Sequence, residues 1–145
     1  MKRITAIAIA ALASLVTAGS AVAQGHAVKA TVPFDFAVGD SHLPAGTYTI
    51  SASETGTSTS LVIRSEAGNT TILAAASADG KQSQNARLVF DKYGDRYFMR
   101  EILSPNAEMN LNLPVSKTEK RIQRQEASVQ DTNKDQVFVA LNEVR

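Results

Sequence analysis

The chain has 145 residues, with 15 Lys and Arg against 14 Asp and Glu, and no cysteine. Charge this balanced excludes the strong field that gathers nucleic acid or anionic lipid surfaces. The missing cysteine excludes disulfides, thiol nucleophiles and a lipid attached through sulfur. The length fits one domain.

Lys2 and Arg3 open the chain, residues 4–18 form an apolar stretch, and Gly19-Ser20 breaks it before Ala21-Val22-Ala23. This is the pattern of a Sec-type signal peptide, with cleavage expected before Gln24. A retained membrane anchor fits less well. Fifteen residues of helix span only ~22 Å, short of the ~30 Å hydrocarbon core, so no membrane association is expected after cleavage. The expected product is periplasmic or extracellular: residues 24–145, a single β-rich domain with 13 basic and 14 acidic residues.

Val28, Ala30, Val32, Phe34 and Phe36 alternate with Lys29, Thr31 and Asp35, which is strand periodicity, and Pro33 marks an edge or a bulge in that strand. Gly39-Asp40 closes it. Leu43-Pro44-Ala45-Gly46 reads as a turn, followed by a half-buried strand in which Tyr48, Ile50 and Ala52 alternate with Thr47, Thr49 and Ser51. Residues 53–60 (SETGTSTS) are expected to be a surface loop. Leu61 to Arg64 is a third strand with Leu61 and Ile63 inward, and Glu66-Ala67-Gly68-Asn69 is its turn. Thr70 to Ala76 has helix-forming alanines, yet it lies between Gly68-Asn69 and Asp79-Gly80 in a space suited to a strand.

Residues 86–91 and 97–103, joined through Tyr93-Gly94-Asp95-Arg96, form the clearest hairpin. Leu88 and Phe90 oppose Arg87, Val89 and Asp91. On the second arm, Tyr97, Met99, Glu101 and Leu103 are expected on one face and Phe98, Arg100 and Ile102 on the other. Each face carries a charge, read as a tip reaching solvent, with one charge held in a cleft as the functional alternative. Met109, Leu111 and Leu113 could add a short strand. Ser116-Lys117-Thr118-Glu119 is a capping box that starts a polar surface helix from Lys117 to Ala127, whose thin apolar side is Val115, Ile122 and Ala127. Its Lys117, Lys120, Arg121 and Arg124 are interleaved with Glu119 and Glu126, a solvated face. After a loop at 130–135, residues 137–141 (VFVAL) form a last strand.

Chemistry is sparse. No phosphate-binding glycine loop and no histidine or cysteine metal spacing is present, so no catalytic residue and no cofactor is expected. A serine triad would depend on His42 without a glycine-flanked serine. Asp35, Asp40, Asp91, Asp95, Glu101 and Glu108 are the carboxylates from which a pair could be drawn, and spacing does not select one. Cleavage before Gln24 leaves Gln24, Gly25 and His26, whose amine, two amides and imidazole could hold Cu(II) or Ni(II) in a plane. Cyclisation of the terminal glutamine would remove the amine, so this is a weak metal candidate. Asn69-Thr70-Thr71 fits a glycosylation sequon and is read as turn chemistry.

Taken in order, Val32-Pro33-Phe34-Asp35-Phe36, Leu43 to Tyr48, Leu88-Val89-Phe90 with Tyr93 to Phe98, and Leu113-Pro114 with Ser116 and Glu119 resemble the pattern of small secreted β-rich proteins of acidobacteria. The likeness covers about residues 28–125. It implies an exported, mainly β domain and brings no activity and no functional residues with it.

The expected fold is therefore mainly β: a single antiparallel sandwich or small barrel of about seven or eight strands, with one helix before the last strand that closes the sheet or protects an edge. The leading functional expectation is a non-catalytic structural or binding module of the bacterial envelope, with a protein or glycan partner. A barrel that carries a small apolar ligand among Phe34, Phe36, Tyr48, Phe90, Phe98 and Phe138 is the alternative. A hydrolytic enzyme using His42 and scattered carboxylates is the third.

Overall fold

The structure is a computed structural model that describes residues 26–68, 70–78, 83–105, 109–128 and 135–144. Among them are eleven strands and one helix: β1 (Ala27–Val32), β2 (Phe36–Val38), β3 (Ser41–Leu43), β4 (Gly46–Thr55), β5 (Ser58–Ser65), β6 (Thr71–Ala78), β7 (Arg87–Tyr93), β8 (Arg96–Leu103), β9 (Leu111–Asn112), α1 (Lys117–Ala127), β10 (Asp135–Ala140) and β11 (Asn142–Glu143). The protein is mainly β, as the alternating pattern requires, and the helix precedes the last strands. The signal segment, Gln24, Gly25, Asn69, Asp79-Gly80, Glu108 and most of the 130–135 loop lie outside the described residues.

Hydrogen-bonded neighbours run β10-β7-β8-β9-β6-β5-β4-β1-β11. Pairing along this path is antiparallel, while β2 adds a parallel contact to β8 at Ala37 and Phe98, which makes the sheet mixed. Strand β6 turns the corner: residues 71–76 pair with β5, and Ser77 and Ala78 pair with β9. The two halves fold over one another and share a core of Val28, Ala30, Ile50, Leu61, Ile63, Leu88, Phe90, Met99, Ile102 and Leu111.

The path begins and ends on the same stretch of chain. Strands β10 and β11 are separated only by buried Leu141. Leu141 N–H donates to Ala86 O in line with the β10–β7 register, and Val144 N–H donates to Ala27 O in line with the β11–β1 register. One terminal segment thus joins the two edges.

Several boundaries differ from the sequence expectation for identifiable reasons. The first strand divides at Pro33, which has no N–H for a ladder, so Phe36 to Val38 leave β1 and join β8 and β3. Strand β3, for which the sequence offers no strand signal, is three residues long, too short for a period to show. The 53–60 segment is not a loop but the end of a long hairpin: β4 and β5 pair out to Thr55 and Ser58 across Gly56-Thr57, with Gly56 at φ +62°. Serine and threonine complete the ladder without the apolar alternation that signals a strand.

The hairpin of β7 and β8 turns at Gly94, φ +57°. Its register shifts between Val89 and Phe90, which pair with Glu101 and Met99 and leave Arg100 without an opposite residue. Such a bulge reverses the facing of everything beyond it. Met99 and Ile102 therefore both enter the core, and the expected grouping of Met99 with Glu101 and Leu103 is corrected.

Candidate functional site

Helix α1 lies over the outer side of the β7–β8 hairpin, and the buried charges of the described residues gather beneath it. Ser116 caps the helix, its Oγ accepting Glu119 N–H at 3.0 Å. The glutamate side chain turns under the helix, where Glu119 Oε1 accepts from Arg100 Nη2 and from Tyr93 OH at 3.3 Å. Arg100 Nε donates to Asp91 Oδ2 at 2.8 Å and Nη1 to Leu113 O at 2.8 Å. Gln136 Nε2 reaches Asp91 Oδ1 at 3.4 Å. Asp91, Glu119 and Arg100 are 0%, 2% and 7% exposed.

The bulge explains how an arginine comes to be here. Arg100 has no cross-strand partner on β7, so its guanidinium is free to fan out between Asp91, Leu113 O and Glu119, while its backbone O accepts Leu113 N–H at 2.8 Å. Arg100 and the strand leading to α1 therefore hold one another twice. Ala37, Tyr93, Phe98 and Ile122 pack as a small apolar layer beside the charges. Thr118 Oγ1 donates to Asp40 Oδ1 at 3.1 Å, fixing the start of the helix to the β2–β3 turn.

Electrostatics follow from this placement. Burial pushes the Tyr93 hydroxyl up to about 12, with Glu119 and Asp91 adding to the effect. Burial alone would lower the pKa of Arg100, but hydrogen bonds and charge from Asp91 and Glu119 outweigh it and leave it raised. Two carboxylates share one guanidinium and one phenol, and the contacts fasten helix to sheet. The expectation that the charged tip of Arg100 reaches solvent is thus corrected, because α1 covers that face.

The residues singled out from sequence are scattered by comparison. His26 is exposed at the start of β1, and His42 is exposed in β3. Asp35 is exposed and accepts Ala45 N–H at 2.8 Å, and Asp40 takes Thr118. Asp95 is exposed in the hairpin turn, and Glu101 is half-buried on β8. Among the described residues no three His, Cys, Asp or Glu side chains cluster in a way that could hold a metal. Lys117, Lys120, Arg121 and Arg124 are exposed on α1.

Of the six aromatic residues expected to face inward, four do: Phe34 packs half-buried against the core, and Phe36, Tyr48 and Phe90 are buried in it. The three buried rings meet edge to face at 5.3 and 5.4 Å, and Phe34 stacks on Tyr97 at 4.0 Å. Phe98 lies on the opposite side, beneath α1. Phe138 is 52% exposed with the Arg87 guanidinium 4.6 Å from its ring centre. Strand β10 turns Val137 and Val139 inward instead.

A second surface was not visible as a site in the sequence. On the outer side of β1, β4, β5 and β6 the registers align Val144, Ala27, Ser51, Val62 and Leu73 in one row across the strands. Leu73 is 69% and Val144 50% exposed at its two ends. Lys29, Thr49, Arg64 and Thr71 form the row beside it, with Lys29 Nζ 2.5 Å from Glu66 Oε1. No protein-family model matches this chain, and no curated protein or solved structure matches it.

Proposed function

We propose that the protein is an exported, non-catalytic binding or structural module of the bacterial envelope, acting through the outer face of β1, β4, β5 and β6. The row from Val144 to Leu73 carries this reading. It leaves two large apolar side chains in water at the ends of a row whose middle is Ala27, Ser51 and Val62, and exposed apolar groups aligned this way favour contact with a protein surface. Lys29, Arg64 and Thr49 beside the row supply the polar rim. Export is supported by the arrangement of residues 1–23. The test places a photo-reactive residue at position 73 and, separately, at Arg121 on the far helix, in the organism that makes the protein. A discrete cross-linked species from position 73 alone is the expected result. Equal labelling from both positions, or none from 73, would refute it.

A further inference from the structure

Among the described residues, strand β10 leaves one edge unpaired, and the registers give the reason. The β10–β7 register, continued by Leu141 N–H to Ala86 O, directs the backbone groups of Asp135, Val137 and Val139 to β7. Those of Gln136, Phe138 and Ala140 therefore point the other way. Strand β1 takes this side at Asn142 and Val144 but goes no further. Extending the pairing would set Ala140 opposite Thr31 and Phe138 opposite Pro33, which has no N–H, and β1 ends at Val32. No described strand pairs with Gln136 or Phe138 on that side.

Natural open edges are guarded by lysine, proline or an inward charge. In β10 the one charge is Asp135 at the strand's first position, and residues 136–140 (QVFVA) contain none of these guards. Their inward side chains, Val137 and Val139, are only half covered, and the outward ring of Phe138 lies beneath Arg87. We infer that this edge is an interface for a second copy of the chain, paired antiparallel about a two-fold axis at Val137.

That register sets Gln136 opposite the other copy's Phe138 and Val137 opposite its own equivalent. The outward backbone groups of each copy meet those of the other, about four hydrogen bonds in all. The two Val137 side chains meet at the close, non-hydrogen-bonded position and extend the apolar interior across the axis. Asp135 faces Val139, so no like charges oppose. Ala140 stays beside β1. This edge is separate from the outer face proposed above as the partner surface, so either assignment can fail alone.

Sedimentation of the purified protein over a roughly hundredfold concentration range should show a monomer–dimer equilibrium. Hydrogen exchange should show the Gln136 and Phe138 amides gaining at least about tenfold protection in concentrated samples, with the β7-bonded Val137 and Val139 amides unchanged. Phe138→Pro removes a donor that β7 does not use, so it should yield a monomer with an unchanged circular dichroism spectrum. Leu73→Asp on the other face should leave the dimer intact. A wild-type monomer throughout, a dimer without protection at Gln136 and Phe138, or a dimer abolished by Leu73→Asp and not by Phe138→Pro would overturn the assignment.

Discussion

Replacing Arg100 by methionine tests how α1 is held. The side chain makes contacts of 2.8 Å to Asp91 Oδ2 and to Leu113 O, and a third to Glu119. Methionine keeps much of the volume and loses all three. Two carboxylates of 0% and 2% exposure then remain without their guanidinium. Removing one partner from a buried ion pair costs about 3–5 kcal/mol, chiefly because the other charge stays buried. The carbonyl of Leu113 also loses a donor. With a urea slope of about 1–3 kcal/mol per molar, the unfolding midpoint should fall by roughly 2 M. Adding Asp91→Asn and Glu119→Gln removes both negative charges and should recover a large part of the loss. Urea titration followed by circular dichroism decides the matter. A loss below about 1 kcal/mol for Arg100→Met, or no recovery in the triple variant, would mean that the cluster does not fasten the helix.

Other expectations follow from the same contacts. Because Tyr93 titrates at about 12 when folded and near its ordinary 10 when unfolded, its stabilisation is complete below pH 10 and disappears as pH rises through 12. Tyr93→Phe should remove that slope from unfolding measured between those values. Ser116→Ala, which loses the cap on Glu119 N–H, should cost about 1 kcal/mol in thermal unfolding, with the loss of signal largest in the helical band. Gly94→Ala should cost about 1–2 kcal/mol, since it places a β-carbon at φ +57° and 3.0 Å from Glu126 Oε1, whereas Gly94→Asn should cost less.

Much of the fold was legible because two-residue alternation reports which side chains face a core. Leu88 and Phe90 against Asp91, and Leu61 with Ile63, lie as their spacing implies. The signal fails where one of its assumptions does. At Arg100 the backbone inserts a residue, so counting by twos assigns Glu101 and Leu103 to the wrong side. At Ser53 to Ser60 the ladder runs on through hydroxyl residues, and alternation is silent there.

The buried charges were legible only in part. Asp91 and Arg100 could be placed off the core face, but whether that face meets water depends on α1, which lies later in the chain. Glu119 was read as half of a capping box. Its backbone takes that role, while its carboxylate turns to Arg100 and Tyr93, a choice set by what lies beneath the helix. The motifs around Pro33 and Pro44 prove to be one structure: Asp35 accepts Ala45 N–H, and Tyr48 OH donates to Pro44 O at 2.5 Å.

The terminal segment that joins both sheet edges also sets the order in which the molecule can be completed. Val28 waits for Glu143, and Leu88 for Val139, so β1 and β7 both depend on a segment that lies far along the chain from them. Contacts of such long sequence separation slow folding, because the intervening chain must be confined before they form. Until the segment from Asp135 to Val144 docks, β1 and β7 each keep one edge unpaired.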